Sequence, residues 1–567
     1  MKSNTRIRII SIFVFAFALV LIGRLYFVQI VNHDLYIQKG DKQYSSTSKK
    51  VFDRGTIFFQ NKDGSLVSAA TLKSGYIVAI NPEVLKNPDD AWKKYNEILP
   101  TERDVFMQKV AKKNDTYEEL AQRVDTEVGE KINALKIPGL QAYKERWRFY
   151  PGGNTASRVV GLLGYKGDEY AGRYGLERQY ENNMLRQDGG YVNFFAEIFS
   201  DIKSFAEEKG EVEADIVTTI EPALQSYLQG ILKETTQKFG AETMGGIIMN
   251  PKTGEIYAMD VYPTFDPNNT QAEKDITVFS NPLVENVYEM GSVIKPLTVS
   301  AGLDAGVIKA STTYYDPGYL VVNNKRISNF DGKERGMVDI QEALSQSLNV
   351  GMAKITSLLG NKLFSEYMYS FGIGEKTGID LPNEGRNLVD NLKSPRDIEH
   401  VTASFGQGLA LTPISTIRSL AVLANGGFLV EPHVVKSINY KIGISKTIEP
   451  KTIRQVLKRE TTEEISRMMV HSMDKVLLEG KLKLPNYSVA VKTGTAQMAK
   501  PGGVGGYYDD KFLHSFVGYF PAYDAKFIVF MYVINPRGVR YGSETLSQPF
   551  ADLTNFIINY YEVPPDR

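Results

Sequence analysis

Residues 288–296 read Tyr288-Glu289-Met290-Gly291-Ser292-Val293-Ile294-Lys295-Pro296. Glycine permits a sharp entry into a helix, and proline is tolerated only in a helix's first turn, where backbone N–H groups lack intrahelical partners. Ser292 is therefore expected at a helix N-terminus, close to the positive end of the macrodipole. Lys295 follows at i+3, on the same face. Val293, Ile294 and Leu297 would bury it, and burial beside a second cation lowers a lysine pKa toward neutrality. A neutral amine within reach of a serine hydroxyl can take its proton. Ser-x-x-Lys alone is a weak signal: it also occurs at Ser46/Lys49, Ser200/Lys203 and Ser472/Lys475, which read as solvated surface pairs.

A second cation is available in Lys-Thr-Gly, which occurs at Lys252, Lys376 and Lys492. Lys252 falls in a turn between two strand-like segments, and Lys376 follows a glycine-rich bend. Lys492 directly follows the apolar run Ser488-Val489-Ala490-Val491. A strand edge ending in Lys492-Thr493-Gly494-Thr495 can pair with an extended peptide. Gly494 would let that peptide's backbone approach, Thr493 and Thr495 would offer hydroxyls to a carboxylate, and Lys492 would offer charge. A third element, Ser347-Leu348-Asn349, sits where helix gives way to loop. Ser347 could relay a proton to a leaving amine, and Asn349 could bond a substrate amide. Ser437-Ile438-Asn439 has the same pattern in a strand-like segment with no other motif near it.

Composition narrows the chemistry. The 567 residues carry 66 basic and 66 acidic side chains, which leaves no electrostatic footprint for nucleic acid. With no cysteine, disulfides, thiolate metal sites and a cysteine nucleophile are excluded. The histidines, His33, His400, His433, His471 and His514, form no close pair and no metalloprotease motif. No Gly-x-Ser-x-Gly elbow occurs. An acyl-transfer enzyme built from this chain needs a base other than histidine.

At the N-terminus, residues 9–23 form an uncharged apolar run, and apolar character resumes over 25–31. Together 9–31 is long enough to span a bilayer, with Arg24 snorkelling at the outer interface. Lys2, Arg6 and Arg8 keep a short tail, 1–8, in the cytoplasm. The reading is an uncleaved single-pass anchor in the cytoplasmic membrane, with a cleaved signal as the alternative; either way the bulk of the chain is extracytoplasmic. Residues 85–136 have helix-like spacing, including Leu120 and Val124, and read as a helical lobe of a pedestal spanning 32–235. Residues 244–250 and 255–261 read as a hairpin, 288–424 as mainly helical, and 488–491, 515–520 and 527–533 as strands of one sheet. The helix closing the chain reads as 549–561. The expected fold is α+β: an antiparallel sheet flanked by helices plus a helical lobe, over 236–567.

The ordered set Ser292-x-x-Lys295, Ser347-x-Asn349 and Lys492-Thr493-Gly494 resembles the penicillin-recognising serine acyl-transferases. The separations, 55 residues and then 145, are similar to that family's. Asn250-Pro251-Lys252-Thr253-Gly254 with Phe265-Asp266-Pro267-Asn268 resembles the opening of its transpeptidase domain, and Ser404-Phe405-Gly406-Gln407-Gly408 its middle. Arg54-Gly55-Thr56-Ile57, Arg148-Phe149-Tyr150-Pro151 and Gly175-Leu176-Glu177-Arg178-Gln179-Tyr180 resemble the pedestal of class B, monofunctional penicillin-binding proteins. Two departures stand out: Phe59-Gln60-Asn61-Lys62 where the family shows Asp-Arg-Asn-Gly, and Met290 in place of a proline.

The resemblance implies a peptidoglycan D,D-transpeptidase with Ser292 as nucleophile, Lys295 as base, Ser347, Asn349 and Lys492 completing the catalytic set, and Thr493, Gly494 and Thr495 binding substrate. It implies no metal or organic cofactor, stem peptides as substrates, β-lactams as covalent inhibitors, and a SEDS-family glycosyltransferase and other division proteins as partners. Asn349 and the short link 164–175 point to the cell-division (septal) type. An elongation-type enzyme, a hydrolysing or β-lactam-sensing relative, and a non-catalytic envelope scaffold are the alternatives.

Overall fold

The computed structural model describes residues 54–112, 115–167, 169–185, 213–500 and 506–567, together with Phe17. The expected tail 1–8, nearly all of the expected anchor 9–31 and the pairs Ser46/Lys49 and Ser200/Lys203 lie outside these residues. Among the described residues no helix is long and apolar enough to cross a membrane.

The chain divides into two compact units: Leu72–Trp147 with Arg54, and Gly55–Thr71 with Arg148–Arg567. The expected boundaries, 32–235 and 236–567, differ from this division. Long-range pairing is the reason. Ile57–Gln60 pairs in parallel with Ala214–Thr218, which pairs antiparallel with Val435–Tyr440. The three upstream motifs also converge in this larger unit: buried Arg148 donates to Glu177 Oε1 at 2.6 Å and to Gly55 O at 2.7 Å. A buried ion pair repays its desolvation only with further hydrogen bonds, and Gly55 O supplies one here.

In the smaller unit, helices Pro88–Ile98, Arg103–Val110 and Thr126–Ala134 accompany the strand Glu118–Val124. Tyr95, Phe106, Val78 and Ile132 fill its core. The helical reading of Leu120 and Val124 fails, because that strand pairs with residues 76–80. A four-residue spacing satisfies both a helical and an alternating period, so it could not separate the two.

In the larger unit, helix α1 (Pro222–Phe239) opens with proline in its first turn, and the carboxylate of Glu221 caps it at the N–H of Leu224. The expected boundary at 235/236 would cut this helix, whose Leu224, Leu228 and Leu232 pack into a core with the sheet that follows. Strands β1 (Thr243–Met249) and β2 (Ile256–Tyr262) form the expected hairpin around residues 250–255. Helices α2 (Lys295–Asp304) and α3 (Asn349–Leu359) belong to the helical lobe. Strands β3 (Ala490–Ala499), β4 (Tyr507–Phe520) and β5 (Phe527–Ile534) and helix α4 (Gly542–Tyr561) complete the unit.

The five strands lie in the order β3-β4-β5-β1-β2, all antiparallel. In β5 side chains alternate between two cores: Phe527, Val529, Met531 and Val533 face α1 and α4, while Ile528, Phe530 and Tyr532 face the helical lobe. Such a strand is buried on both faces, which accounts for its unbroken apolar run. Truncating Phe530 to alanine would cost about 3–5 kcal/mol.

The helices expected over 288–424 are interrupted by short antiparallel strands, where Thr313–Asp316 pairs with Gly336–Asp339 and Tyr319–Val322 with Lys325–Ser328. The buried Asp316 carboxylate organises them, accepting from Gly318 N–H and from the Asn329 amide. Helix α4 begins at Gly542, seven residues before Pro549, which it carries inside.

Candidate active site

Gly291–Ile294 forms a single 3₁₀ turn that runs directly into α2, with Pro296 in the first turn of the helix. Ser292 is half-buried at this junction, and its carbonyl accepts the N–H of Lys295. Gly291 has φ +63°, and an added Cβ there would lie 3.2 Å from the backbone of Thr495. The turn is thus pressed against β3. Ser515 Oγ donates to Met290 O at 2.7 Å, and Gly291 N–H donates to Gly406 O at 3.1 Å, fixing the turn from the sheet and from the lobe.

The residues singled out in the sequence meet in one cleft of about 620 Å³, lined by Ser292, Ser347, Asn349, Lys492, Thr493 and Thr495. Lys295 is fully buried beneath it, and its Nζ donates to Ser347 O at 2.5 Å and to Ser347 Oγ at 3.1 Å. Lys492 donates to the same Ser347 Oγ at 3.1 Å and to Thr493 O at 2.8 Å. Burial, and then the nearby charge of Lys492, holds Lys295 well below the usual lysine range. Burial brings Lys492 down to about 7.

Ser347 adopts φ +60° between the helix Ile340–Ser345 and α3. This left-handed residue reverses the chain, so that Asn349 starts α3 two residues later. The Asn349 amide N–H₂ donates to Ser328 O at 2.8 Å and braces the Lys325–Ser328 strand against the cleft.

β3 is the edge strand of the sheet and continues to Ala499, beyond the expected end at Thr495. Thr493 and Thr495 alternate on one face, as strand geometry requires. Thr495 Oγ1 accepts the Gly542 N–H at 2.9 Å, which leaves its own O–H as a donor. At Gly494 an added Cβ would lie 2.2 Å from Ser515 Oγ and 2.8 Å from Met290 O, so the small residue also makes room for the protein's own atoms.

The sequence reading missed several cleft residues. Arg540, Tyr541 and Gly542 line it and are held by His514, whose ring nitrogens lie 3.0 Å from Arg540 O and from Thr545 Oγ1. Burial pushes His514 down to about 4, so it serves as a neutral brace. Ser472 is also here, buried with Oγ 3.3 Å from Ser345 Oγ, and is not the solvated surface residue expected. Its signal, the apolar Met468, Met469 and Val470 just before it, points to a packed helix face.

A serine and two buried lysines thus meet under the edge of a helix-backed antiparallel sheet, an arrangement suited to serine acyl transfer. Residues 244–555 match the family model described as Penicillin binding protein transpeptidase domain, and residues 51–197 match the Penicillin-binding Protein dimerisation domain. The chain belongs to the penicillin-binding proteins, in their class B arrangement. It is 28% identical to the stage V sporulation protein D of Bacillus subtilis, over 96% of this chain and 85% of that protein. It is 27% identical to the peptidoglycan D,D-transpeptidase FtsI of Buchnera aphidicola, over 100% of this chain and 96% of that one. Penicillin Binding Protein 2X from Streptococcus thermophilus shares the fold, with a TM-score of 0.72 at 21% identity over 90% of this chain and 80% of that chain.

Proposed function

We propose that the protein is a peptidoglycan D,D-transpeptidase that works through an acyl-enzyme on Ser292. Ser292 Oγ attacks the carbonyl carbon of the penultimate D-alanine of a stem peptide as its proton passes to Lys295 Nζ. The carbonyl oxygen gains charge toward the N–H groups of Ser292 and Thr495, a stabilisation worth a few kcal/mol per donor. Lys492, Thr493 and Thr495 hold the terminal carboxylate. When the C–N bond breaks, the departing D-alanine takes its proton through Ser347. An amine of a second stem peptide then attacks the ester, a cross-link forms, and the proton returns to Ser292. No step calls for a metal or organic cofactor.

The observation that carries this reading is the convergence of Lys295 and Lys492 on Ser347 Oγ in the cleft that Ser292 lines. Its test is labelling with a fluorescent penicillin: the wild type is expected to label covalently and Ser292→Ala to remain dark. Persistent labelling of the variant would remove the nucleophile assignment. D-alanine release with an acceptor amine, and a matching adduct, separates transfer from hydrolysis.

We assign the protein to septal wall synthesis, supported by Asn349, the short link 164–175 and the relative named FtsI. Residues 9–31 would anchor it in the cytoplasmic membrane with the catalytic region outside, alongside a SEDS-family glycosyltransferase and other division proteins. A fluorescent fusion gathered at midcell supports this role. Dispersed sidewall signal would favour elongation instead.

A further inference from the structure

Glu289 lies three residues before Ser292 and takes no part in the acyl transfer outlined above. Its backbone pairs with Ala410, and its Oε1 accepts the Gly408 N–H at 3.0 Å. The Tyr507 hydroxyl donates to the same carboxylate, 3.2 Å from Oε1 and 3.0 Å from Oε2. These partners come from two different walls of the cleft. Gly408 follows Gln407, which lines it. Tyr507 begins β4 and pairs in register with Ala499, at the far end of β3.

The contact of Gly291 with Thr495 fixes β3 beside the nucleophile. Beyond that point the β3–β4 hairpin projects past the sheet's other strands, since Ala499 and Tyr507 lie outside the β4–β5 pairing, which stops at Leu513. The Glu289–Tyr507 bond is a polar tie at that outer end, beside Met498, which packs against the core. A two-stranded projection without such a tie is marginal by itself. Charge-assisted hydrogen bonds are short and geometrically specific, so one carboxylate can fix two partners at once.

We propose that Glu289 is a positioning residue that locks the substrate-facing β3–β4 hairpin and the Gln407–Gly408 loop to the Ser292 turn, its partner in the lock being the hydroxyl of Tyr507. The inference rests on the acyl-transfer reading. The lock holds the edge that receives the peptide in register with the attacking oxygen, so it acts on the chemical step rather than on encounter.

The test is saturation kinetics of acylation by a chromogenic β-lactam with the full chain, in wild type, Glu289→Gln, Tyr507→Phe and the double variant. Rates are normalised to titrated active sites, and thermal midpoints are recorded alongside. Each single variant is expected to lower the first-order acylation constant about tenfold with the half-saturation concentration unchanged, as befits the loss of a charge-assisted hydrogen bond. The double variant is expected to be no slower than the slower single, the signature of two groups acting as one unit. Tyr507→Phe removes only a hydroxyl, so it carries the test even if Glu289→Gln lowers the thermal midpoint. Wild-type acylation constants in Tyr507→Phe, or strictly multiplicative losses in the double variant, would overturn the proposal. Failure of the underlying reading looks different: Ser292→Ala would still be labelled.

Discussion

Lys295 and Lys492 share one hydrogen-bond acceptor, the hydroxyl of Ser347, each at 3.1 Å. Their charges oppose each other across that oxygen, and both amines are buried. The cleft therefore favours a state with one proton fewer than two free lysines would carry.

That relationship sets the pH dependence. Lys295 must be neutral to accept a proton, so acylation rises as pH climbs through its lowered pKa. Lys492 must be charged to hold a carboxylate, so the rate falls again as pH climbs past about 7. In Lys492→Met the opposing charge is gone and Lys295 returns toward the usual lysine range. The acid limb of the residual acylation rate then moves to higher pH. A limb that stays in place would show that burial alone lowers Lys295.

Ser347 offers a second prediction. Loss of its hydroxyl in Ser347→Ala or Ser347→Gly removes the shared acceptor and slows acylation about 10²–10⁴-fold. The two variants differ in stability. At φ +60° a Cβ is strained, so the glycine variant is expected to be the more stable by about 1 kcal/mol in urea denaturation. Equal stabilities would mean that glycine's greater unfolded-state entropy fully offsets the strain it relieves.

Gly494→Ala tests whether that glycine serves the protein or the substrate. The added methyl would meet Ser515 Oγ and Met290 O, pushing β3 off the Ser292 turn. The expected outcome is a loss of about 1–3 kcal/mol in stability together with slowed acylation. A variant with wild-type stability that acylates slowly would return the residue to a substrate-contact role.

Asp260 on β2 is buried, 3.8 Å from Arg158, and accepts from Gln225 and from the N–H of Val261. Burial raises its carboxyl to about 6 despite these partners. A folded-state pKa above the unfolded one means that the folded protein binds more protons between about pH 4 and 6. Stability from this group is therefore greatest in acid and is lost as pH rises through that window. Asp260→Asn removes this dependence, so wild type and variant are expected to diverge by about 2–3 kcal/mol across it. Parallel stability curves would refute the assignment.

Much of the cleft was readable because its chemistry resides in short runs. Gly291 and Pro296 mark where a helix can start, and the strand before Lys492 separates it from the other two Lys-Thr-Gly runs. What stayed hidden depends on distant partners. The position of Ile57–Gln60 is set by pairing with Ala214–Thr218, and nothing local announces a parallel partner. The strands within 313–339 are short and partly exposed, and a buried aspartate, invisible to an apolar pattern, helps tie them together. Glu289 resembles any charged residue before a turn until Tyr507 comes within reach of it.

The central pairing of β5 with β1 joins residues 527–534 to residues 243–249. Most of what surrounds the cleft, Ser292, Ser347 and Lys492 included, is threaded between those two strands, and Arg540, Tyr541 and Gly542 follow the second. During synthesis, β1 and β2 leave the ribosome long before β5 can cover them, and a hairpin with an open edge invites association with other chains. The cleft is therefore complete only once the last strand of the sheet, and the Arg540–Gly542 run that follows it, are in place.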